Sequence, residues 1–316
     1  MIAHDASWRG LYPFHSRYWS MPYGLRLHYV DEGPGSTDDE TPTETPTALS
    51  SGARPMEDAC VLAVHGNPTW SFYYRALVQA IRPTHRVLAV DHLGFGLSSK
   101  PQSYAYSLAN HTERLVQFIE SLDLRRIVMV VHDWGGAIGL GASLRCLDRM
   151  AGLVVLNTGA FVPPYIPLRI AACRLPWVGS WAIRYANAFA LGATRMAIHR
   201  LPRLDDEVAS GLLAPYDTPA NRVGIDGFVR DIPLSPLHPT YGVLQNLEMY
   251  LPELQNLPIR LVWGMKDWCF RPECLRRFQS YWPDAQCLKL DDVGHYVMEE
   301  APEEVIDQVR ALLAIA

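Results

Sequence analysis

Short aliphatic runs recur along this chain with amphipathic stretches between them, and that rhythm predicts its layers. Residues 25–30 alternate apolar and polar positions, which predicts an early antiparallel strand with one solvated face. Uninterrupted apolar runs follow at 59–64, 127–131 and 152–156, and mostly apolar strand-like runs at 86–90, 259–263 and 286–290. Runs without alternation belong to strands covered on both sides. Helical periodicity occupies 70–81, 107–122, the stretch from 137 onward, and 302–313. Strands alternating with helices imply right-handed crossovers, hence an α/β fold with a mostly parallel central sheet flanked by helices.

The rhythm breaks after Asn157. From 161 to about 236 the pattern is helical, aromatic and proline-punctuated, and apolar periodicity over 181–198 predicts packed helix rather than irregular chain. A helical cap inserted between two sheet strands is the expected layout. Residues 1–158 then form the first part of the core, 159–236 the cap and 237–316 the second part. Arg174, Arg184, Arg195 and Arg200 interrupt the cap too often for membrane insertion, although its surface suits an assembly role such as a homo-oligomer. Residues 33–58 are acidic and rich in Ser, Thr and Pro, too polar to pack, and predict a mobile loop.

Charge changes little in this picture. The net charge is −5, and the 33–58 loop carries all of it, with six acids and one arginine. The remainder balances, so neither nucleic acid nor an anionic membrane is an expected partner. The six cysteines are scattered without C-x-x-C spacing, and no histidine cluster accompanies Cys269 and Cys274. No metal and no cofactor is therefore expected. Neither a signal-like leader nor an apolar run of bilayer length stands out, and a cytoplasmic setting is the expectation.

The chemistry concentrates where strands give way to helices. In Val130-Val131-His132-Asp133-Trp134-Gly135-Gly136 an acid follows a buried strand and two glycines open the next helix. Glycines there permit a sharp strand-to-helix turn, because a Cβ would strike the neighbouring strand. The turn holds Asp133 at the C-terminal edge of the sheet, as a carboxylate nucleophile that would form an ester with substrate carbon. Such an ester needs a base to activate water and an acid to orient the base. His295 in Gly294-His295, after a late strand and beside a shaping glycine, is the candidate base. His65 and His132 read as packing beneath the same edge, and His4, His15, His85, His111, His199 and His238 as surface or cap residues. Asp267 in Gly264-Met265-Lys266-Asp267 is the candidate acid, because the competing strand end carries Asn157, which has no charge. His65-Gly66-Asn67-Pro68-Thr69 supplies the third element. The backbone N–H groups of Asn67 and Trp134 are expected to form an oxyanion hole. The Asn67 amide and Trp134 indole are expected to bind a halide, since two neutral donors hold a weakly basic anion without trapping it.

Together, His65-Gly66-Asn67-Pro68-Thr69, His132-Asp133-Trp134-Gly135-Gly136, Gly264-Met265-Lys266-Asp267 and Gly294-His295 resemble the haloalkane dehalogenases, over a span from about Tyr12 to the C-terminus excepting the acidic loop. Asn67 with Trp134, and an acid at Asp267, resemble the branch called subfamily III. The resemblance implies an α/β-hydrolase fold and hydrolysis of a carbon–halogen bond to an alcohol and halide, with a small apolar substrate and water as partners. Leu156–Phe161 and 231–236 also resemble the β-lactone decarboxylases of olefin biosynthesis, which share the branch and the triad. Epoxide hydrolases share the H-D-W-G-G turn but place an aromatic residue at the position of Asn67. They also require two cap tyrosines, for which Tyr165, Tyr185, Tyr216 and Tyr241 are available. Fluoroacetate dehalogenases place arginine where Trp134 stands, no G-x-S-x-G supports an esterase, and a non-catalytic ligand receptor would be expected to lack a triad member.

Overall fold

The computed structural model describes residues 6–35, 59–175 and 177–316. Most of the expected acidic loop, 36–58, lies outside the described residues. Eight strands form one sheet in the order β1-β2-β4-β3-β5-β6-β7-β8. They are β1 (Arg17–Ser20), β2 (Arg26–Glu32), β3 (Cys60–Val64), β4 (Val87–Val90), β5 (Ile127–Asp133), β6 (Met150–Thr158), β7 (Ile259–Gly264) and β8 (Gln286–Leu290). The first two run antiparallel to their neighbours and the rest are parallel. The expected strands are all present. β1 is the strand that the pattern does not predict: four half-exposed residues on the sheet edge, too short for periodicity.

All five residues of β3 and all seven of β5 are buried. Burial along their whole length shows that helices cover both faces of these strands. One layer of helices contains α1 (Arg75–Ile81) and, at the C-terminus, α12 (Pro302–Leu313), which pack on each other. The other contains α2 (Leu108–Ser121), α3 (Trp134–Arg145) and, later in the chain, α9 (Pro239–Tyr250). Ser107 caps α2 by accepting the Asn110 N–H.

The single helix expected over 70–81 is instead a 3₁₀ turn, Ser71–Tyr74, leading into α1, with Trp70 extended and its indole donating to the Gly211 carbonyl at 3.0 Å. Between β6 and β7 lie α4 (Leu168–Cys173), α5 (Val178–Arg184), α6 (Ala188–Met196), α7 (Asp206–Leu213), α8 (Val223–Asp231) and then α9, with no strand among the described residues. The periodicity over 181–198 is split between α5 and α6, because Asn187 adopts a left-handed conformation that breaks the helix. The later helices are α10 (Pro272–Tyr281) and α11 (Val297–Glu300).

The sheet order reverses direction between β3 and β5. Chain leaves β3 toward β4 on one side and returns to β5 on the other. Loops at the C-terminal ends of such strands diverge and leave a crevice, where ligands of open α/β sheets bind. Asn67 follows β3 and Asp133 ends β5, so both stand at that crevice.

Candidate active site

Asp133 sits at φ +52°, ψ −129°, a conformation L-residues rarely adopt, and is the N-cap of α3. The two glycines after it make this possible. A Cβ on Gly135 would overlap the Val64 carbonyl, and one on Gly136 would overlap the Thr158 side chain, so the strand clash expected from the sequence is the actual constraint. The Thr158 hydroxyl in turn donates to the Asp133 carbonyl, which pins the turn to β6.

The carboxylate is buried and surrounded by donors. The Asn67 N–H donates to Asp133 Oδ1 at 2.6 Å, and the Trp134 N–H also bonds the carboxylate. His295 Nε2 lies 3.6 Å from Asp133 Oδ2. On its other side, His295 Nδ1 donates to Asp267 Oδ2 at 2.8 Å. Burial raises the Asp133 pKa above the usual carboxylate range, with His295 and the two N–H groups opposing it. For His295, burial works against the imidazolium, but the Asp267 charge and hydrogen bond, joined by Asp133, prevail and raise its pKa. The structure thus brings Asp133, His295, Asp267, Asn67 and Trp134 together as the motifs predict.

Asp267 is held as firmly as the histidine it faces. Its Oδ2 also accepts from Asn157 Nδ2 at 3.0 Å, and its Oδ1 accepts the Cys269 N–H at 2.6 Å. Asn157 donates further to the Gly264 carbonyl at 2.9 Å and accepts the Gly264 N–H at 2.7 Å. Asn157, weighed in the sequence only as an alternative place for an acid, therefore ties the end of β6 to the end of β7 and steadies Asp267. Thr158 is the second residue missed. Its neighbour Asn157 stood out as a strand-end position, but nothing in the pattern marks a threonine as an anchor.

His132 Nε2 donates to the His295 carbonyl at 2.8 Å, with the rings 4.5 Å apart, and burial pushes the His132 pKa well down, so it supports the base loop as a neutral group. His65 is likewise buried and donates from Nδ1 to the Gly66 carbonyl at 2.7 Å. His111, expected at the surface, is instead buried on α2 against His92 and Phe228, because the helix turns that position toward the core.

An apolar cavity of about 190 Å³ opens above Asp133 and His295. Phe161, Ile170, Phe189, Val229 and Leu244 are among its walls, and Arg169 stands on its lining as a third charged side chain. Two edges of this cavity are fastened differently. Near Ala197, at the end of α6, the chain is bound to the base loop: Tyr296 N–H donates to the Ala197 carbonyl at 2.8 Å, His199 N–H donates to Glu300 at 2.7 Å, and Arg200 pairs with Asp292 at 3.0 Å. At α4 the fastening is by two guanidinium groups: Arg174 donates to the carbonyls of Val229, Arg230 and Ile232, and Arg169 reaches Met196 Sδ and lies over the Trp268 ring.

The Asn67 amide is partly committed, since Nδ2 donates to the Ile225 carbonyl at 3.3 Å while the buried Oδ1 has no partner. That carbonyl also fixes which end of the amide carries nitrogen. Of the four candidate tyrosines, Tyr165 alone lines the cavity, and its hydroxyl is engaged by the Cys269 carbonyl and the Arg271 N–H. The paired tyrosines that an epoxide hydrolase needs are not assembled.

Residues 60–302 match the family described as alpha/beta hydrolase fold. A cis-3-alkyl-4-alkyloxetan-2-one decarboxylase from Shewanella oneidensis is 36% identical over 95% of this chain and 88% of its own length. A haloalkane dehalogenase from Mycobacterium bovis is 30% identical over 93% of both chains. Among solved structures, a haloalkane dehalogenase from Agrobacterium tumefaciens superposes with a TM-score of 0.77 at 24% identity, covering 95% of this chain and 97% of that one, which shows the shared fold. The chain is an enzyme of the alpha/beta hydrolase family. Within it, the chain is a homologue of both the β-lactone decarboxylases and the haloalkane dehalogenases.

Proposed function

We propose that this enzyme opens β-lactones bearing two alkyl arms and releases CO2 and an alkene, with Asp133 as nucleophile. The observation that carries this reading is the 36% identity with a decarboxylase of such lactones, against 30% with a haloalkane dehalogenase. The identities weigh the other way from the motifs, which placed halide displacement first. An apolar cavity suits alkyl arms in either case.

The steps follow from the donors around Asp133. One carboxylate oxygen attacks the saturated ring carbon bonded to the ring oxygen. The C–O bond breaks in line, and its electrons leave with the newly freed carboxylate, still tethered through the adjacent carbon. His295, whose pKa Asp267 raises, stands beside Asp133 and in its protonated form adds positive charge to the site where negative charge shifts. The tethered carboxylate then leaves as CO2, its C–C electrons form the double bond, and the ester electrons return to Asp133. No water is consumed. Displacement with inversion followed by anti departure keeps the two alkyl arms of a cis lactone on the same side of the alkene.

Halide displacement remains the second reading, favoured by the neutral donors Asn67 and Trp134 and by the dehalogenase relatives. The two reactions differ in the fate of water. In a dehalogenase, neutral His295 activates a water that attacks the Asp133 ester carbonyl, so turnover in H₂¹⁸O labels Asp133. Decarboxylation returns that carboxylate unlabelled. The expected result is alkene and CO2 from a cis-dialkyl β-lactone, with an unlabelled Asp133 peptide by mass spectrometry. Rapid bromide release from 1-bromoalkanes with a labelled Asp133 would overturn the decarboxylase reading and establish the other.

A further inference from the structure

Chain-wide charge balance conceals a strongly one-sided stretch. Residues 149–204 hold seven arginines and not one lysine, aspartate or glutamate, and Arg149, Arg200 and Arg203 pair with acids outside the stretch, which leaves Arg169, Arg174, Arg184 and Arg195. Within that stretch α4 and α5 pack on each other and leave an apolar face uncovered. Trp177, Trp181 and Tyr185 follow one another at four-residue intervals, joined by backbone bonds from Trp181 N–H to Trp177 and from Tyr185 N–H to Trp181. They therefore form one stripe. Trp177 is 88% exposed, Trp181 61% and Tyr185 64%, and Leu168 and Leu175 are exposed beside them in the chain. Monomeric proteins scatter exposed apolar residues singly, and a clustered aromatic stripe marks a surface that something covers.

Two features identify what covers it. The first is charge. Arg184 shares a shallow depression with Trp177, Trp181 and Tyr185 and bonds only the Pro219 carbonyl and the Gln102 amide, while Arg169 on α4, resting on Met196 and Trp268, and Arg195 on α6 are exposed and have no carboxylate partner among the described residues. The acid beside the stripe, Asp226, is taken up by Ser180 and Arg230. Amphipathic indole and phenol rings beside Arg184, with Arg169 and Arg195 exposed on the flanking helices, match the headgroup layer of an anionic bilayer, where ring bodies meet acyl chains and guanidinium groups meet phosphates. The second feature is continuity with the cavity. Pro167, Arg169, Ile170 and Cys173 of the α4 segment line the cavity, while Leu168 between them points out to solvent. One short helix thus separates the exposed face from the reaction space.

We propose that this face docks on an anionic phospholipid surface and that apolar substrate passes from the lipid into the cavity beneath α4. No helix among the described residues is long and apolar enough to cross a membrane, so the proposal is of docking at the surface. The proposal rests on the assigned reaction only for the apolarity of the substrate, and docking is measured without turnover. The full chain is sedimented with vesicles of phosphatidylcholine alone and of phosphatidylcholine mixed with phosphatidylglycerol, at low and high salt. Binding is expected to the mixed vesicles, falling with salt. It should also fall about tenfold or more in the Trp177→Ser, Trp181→Ser, Tyr185→Ser triple variant. That variant should turn over a short, water-soluble β-lactone as the wild type does, which shows that it is folded. Equal binding to both vesicle types, no binding to either, or binding unaffected by the three substitutions would overturn the proposal. So would a light-scattering mass showing an oligomer in the wild type that the triple variant dissociates, because the face would then be covered by a second copy.

Discussion

Replacing Asp267 by asparagine removes one charge and almost no volume, so the surrounding bonds decide the outcome. Oδ2 now accepts from both His295 Nδ1 and Asn157 Nδ2, while Oδ1 accepts the Cys269 N–H. An amide in this place must turn its NH₂ toward one of these donor sets. Facing Cys269 opposes one donor and facing His295 opposes two, so the nitrogen should settle toward Cys269. One buried donor is then left unmet, at about 1–3 kcal/mol, a few degrees in Tm. Activity should suffer more. The imidazolium loses its carboxylate, and turnover should fall about 10²–10⁴-fold, equivalent to about 2.7–5.4 kcal/mol of barrier. The pH dependence carries the sign. The His295 pKa is raised in the folded enzyme, mainly by Asp267 against the pull of burial. Its pairing therefore stabilises the fold fully below the ordinary histidine value of about 6.5 and fades as pH climbs through the raised one. The Tm gap between wild type and Asp267→Asn should be widest in mildly acidic buffer and narrow toward alkaline pH. In the decarboxylase reading the alkaline limb of kcat should also move to lower pH. Stopped assays across pH, with thermal melts on the same samples, check both. Unchanged turnover together with an unchanged alkaline limb would refute the reasoning.

Asp133→Asn should abolish turnover of β-lactones and bromoalkanes alike, with a wild-type circular dichroism spectrum; residual activity near the wild-type rate would remove Asp133 from the mechanism. Because burial raises the Asp133 pKa, the acid limb of kcat/KM in the wild type should lie above the usual carboxylate range, and a limb within or below that range would contradict it. Gly135→Ala should destabilise by about 1–3 kcal/mol or fail to fold, because its Cβ meets the Val64 backbone carbonyl, which cannot yield as a side chain would; calorimetry measures it. Phe278→Ala should cost about 3–5 kcal/mol, since that ring is fully buried and packs on Phe161, Trp263 and Trp282; urea titration measures it.

β3 and β5 were legible because burial on both faces forces continuous apolar runs, whereas Gln286–Leu290, an edge strand with only its last residue buried, and Pro302–Leu313 were legible from their place in the strand–helix alternation. β1 was not, since an edge strand of four residues leaves hardly one full alternation. At Trp70 the periodicity misleads because that side chain is drawn into a contact with Gly211, far away in sequence. Of the site, Asp133, Asp267 and His295 were legible from residue type and strand-end position. The work of Asn157 and Thr158 was not, because hydrogen bonds between neighbouring strand ends depend on register, which one-dimensional spacing does not carry. His111 shows the same blindness in reverse: a polar residue on a mostly polar helix reads as exposed until the neighbouring layer is known.

The unequal fastening of the cavity edges has a kinetic meaning. Movement at Ala197 would drag the loop that carries His295, because Tyr296, Glu300 and Asp292 are all bound to that edge. Movement of α4 stretches the contacts of Arg174 and of Arg169, which reaches Met196 Sδ and the Trp268 ring, and none of these is made to Asp133, Asp267 or His295. A product that escapes beneath α4 therefore leaves behind an array already aligned for the next encounter. Product release by that route would then require no rebuilding of the triad before the next substrate enters.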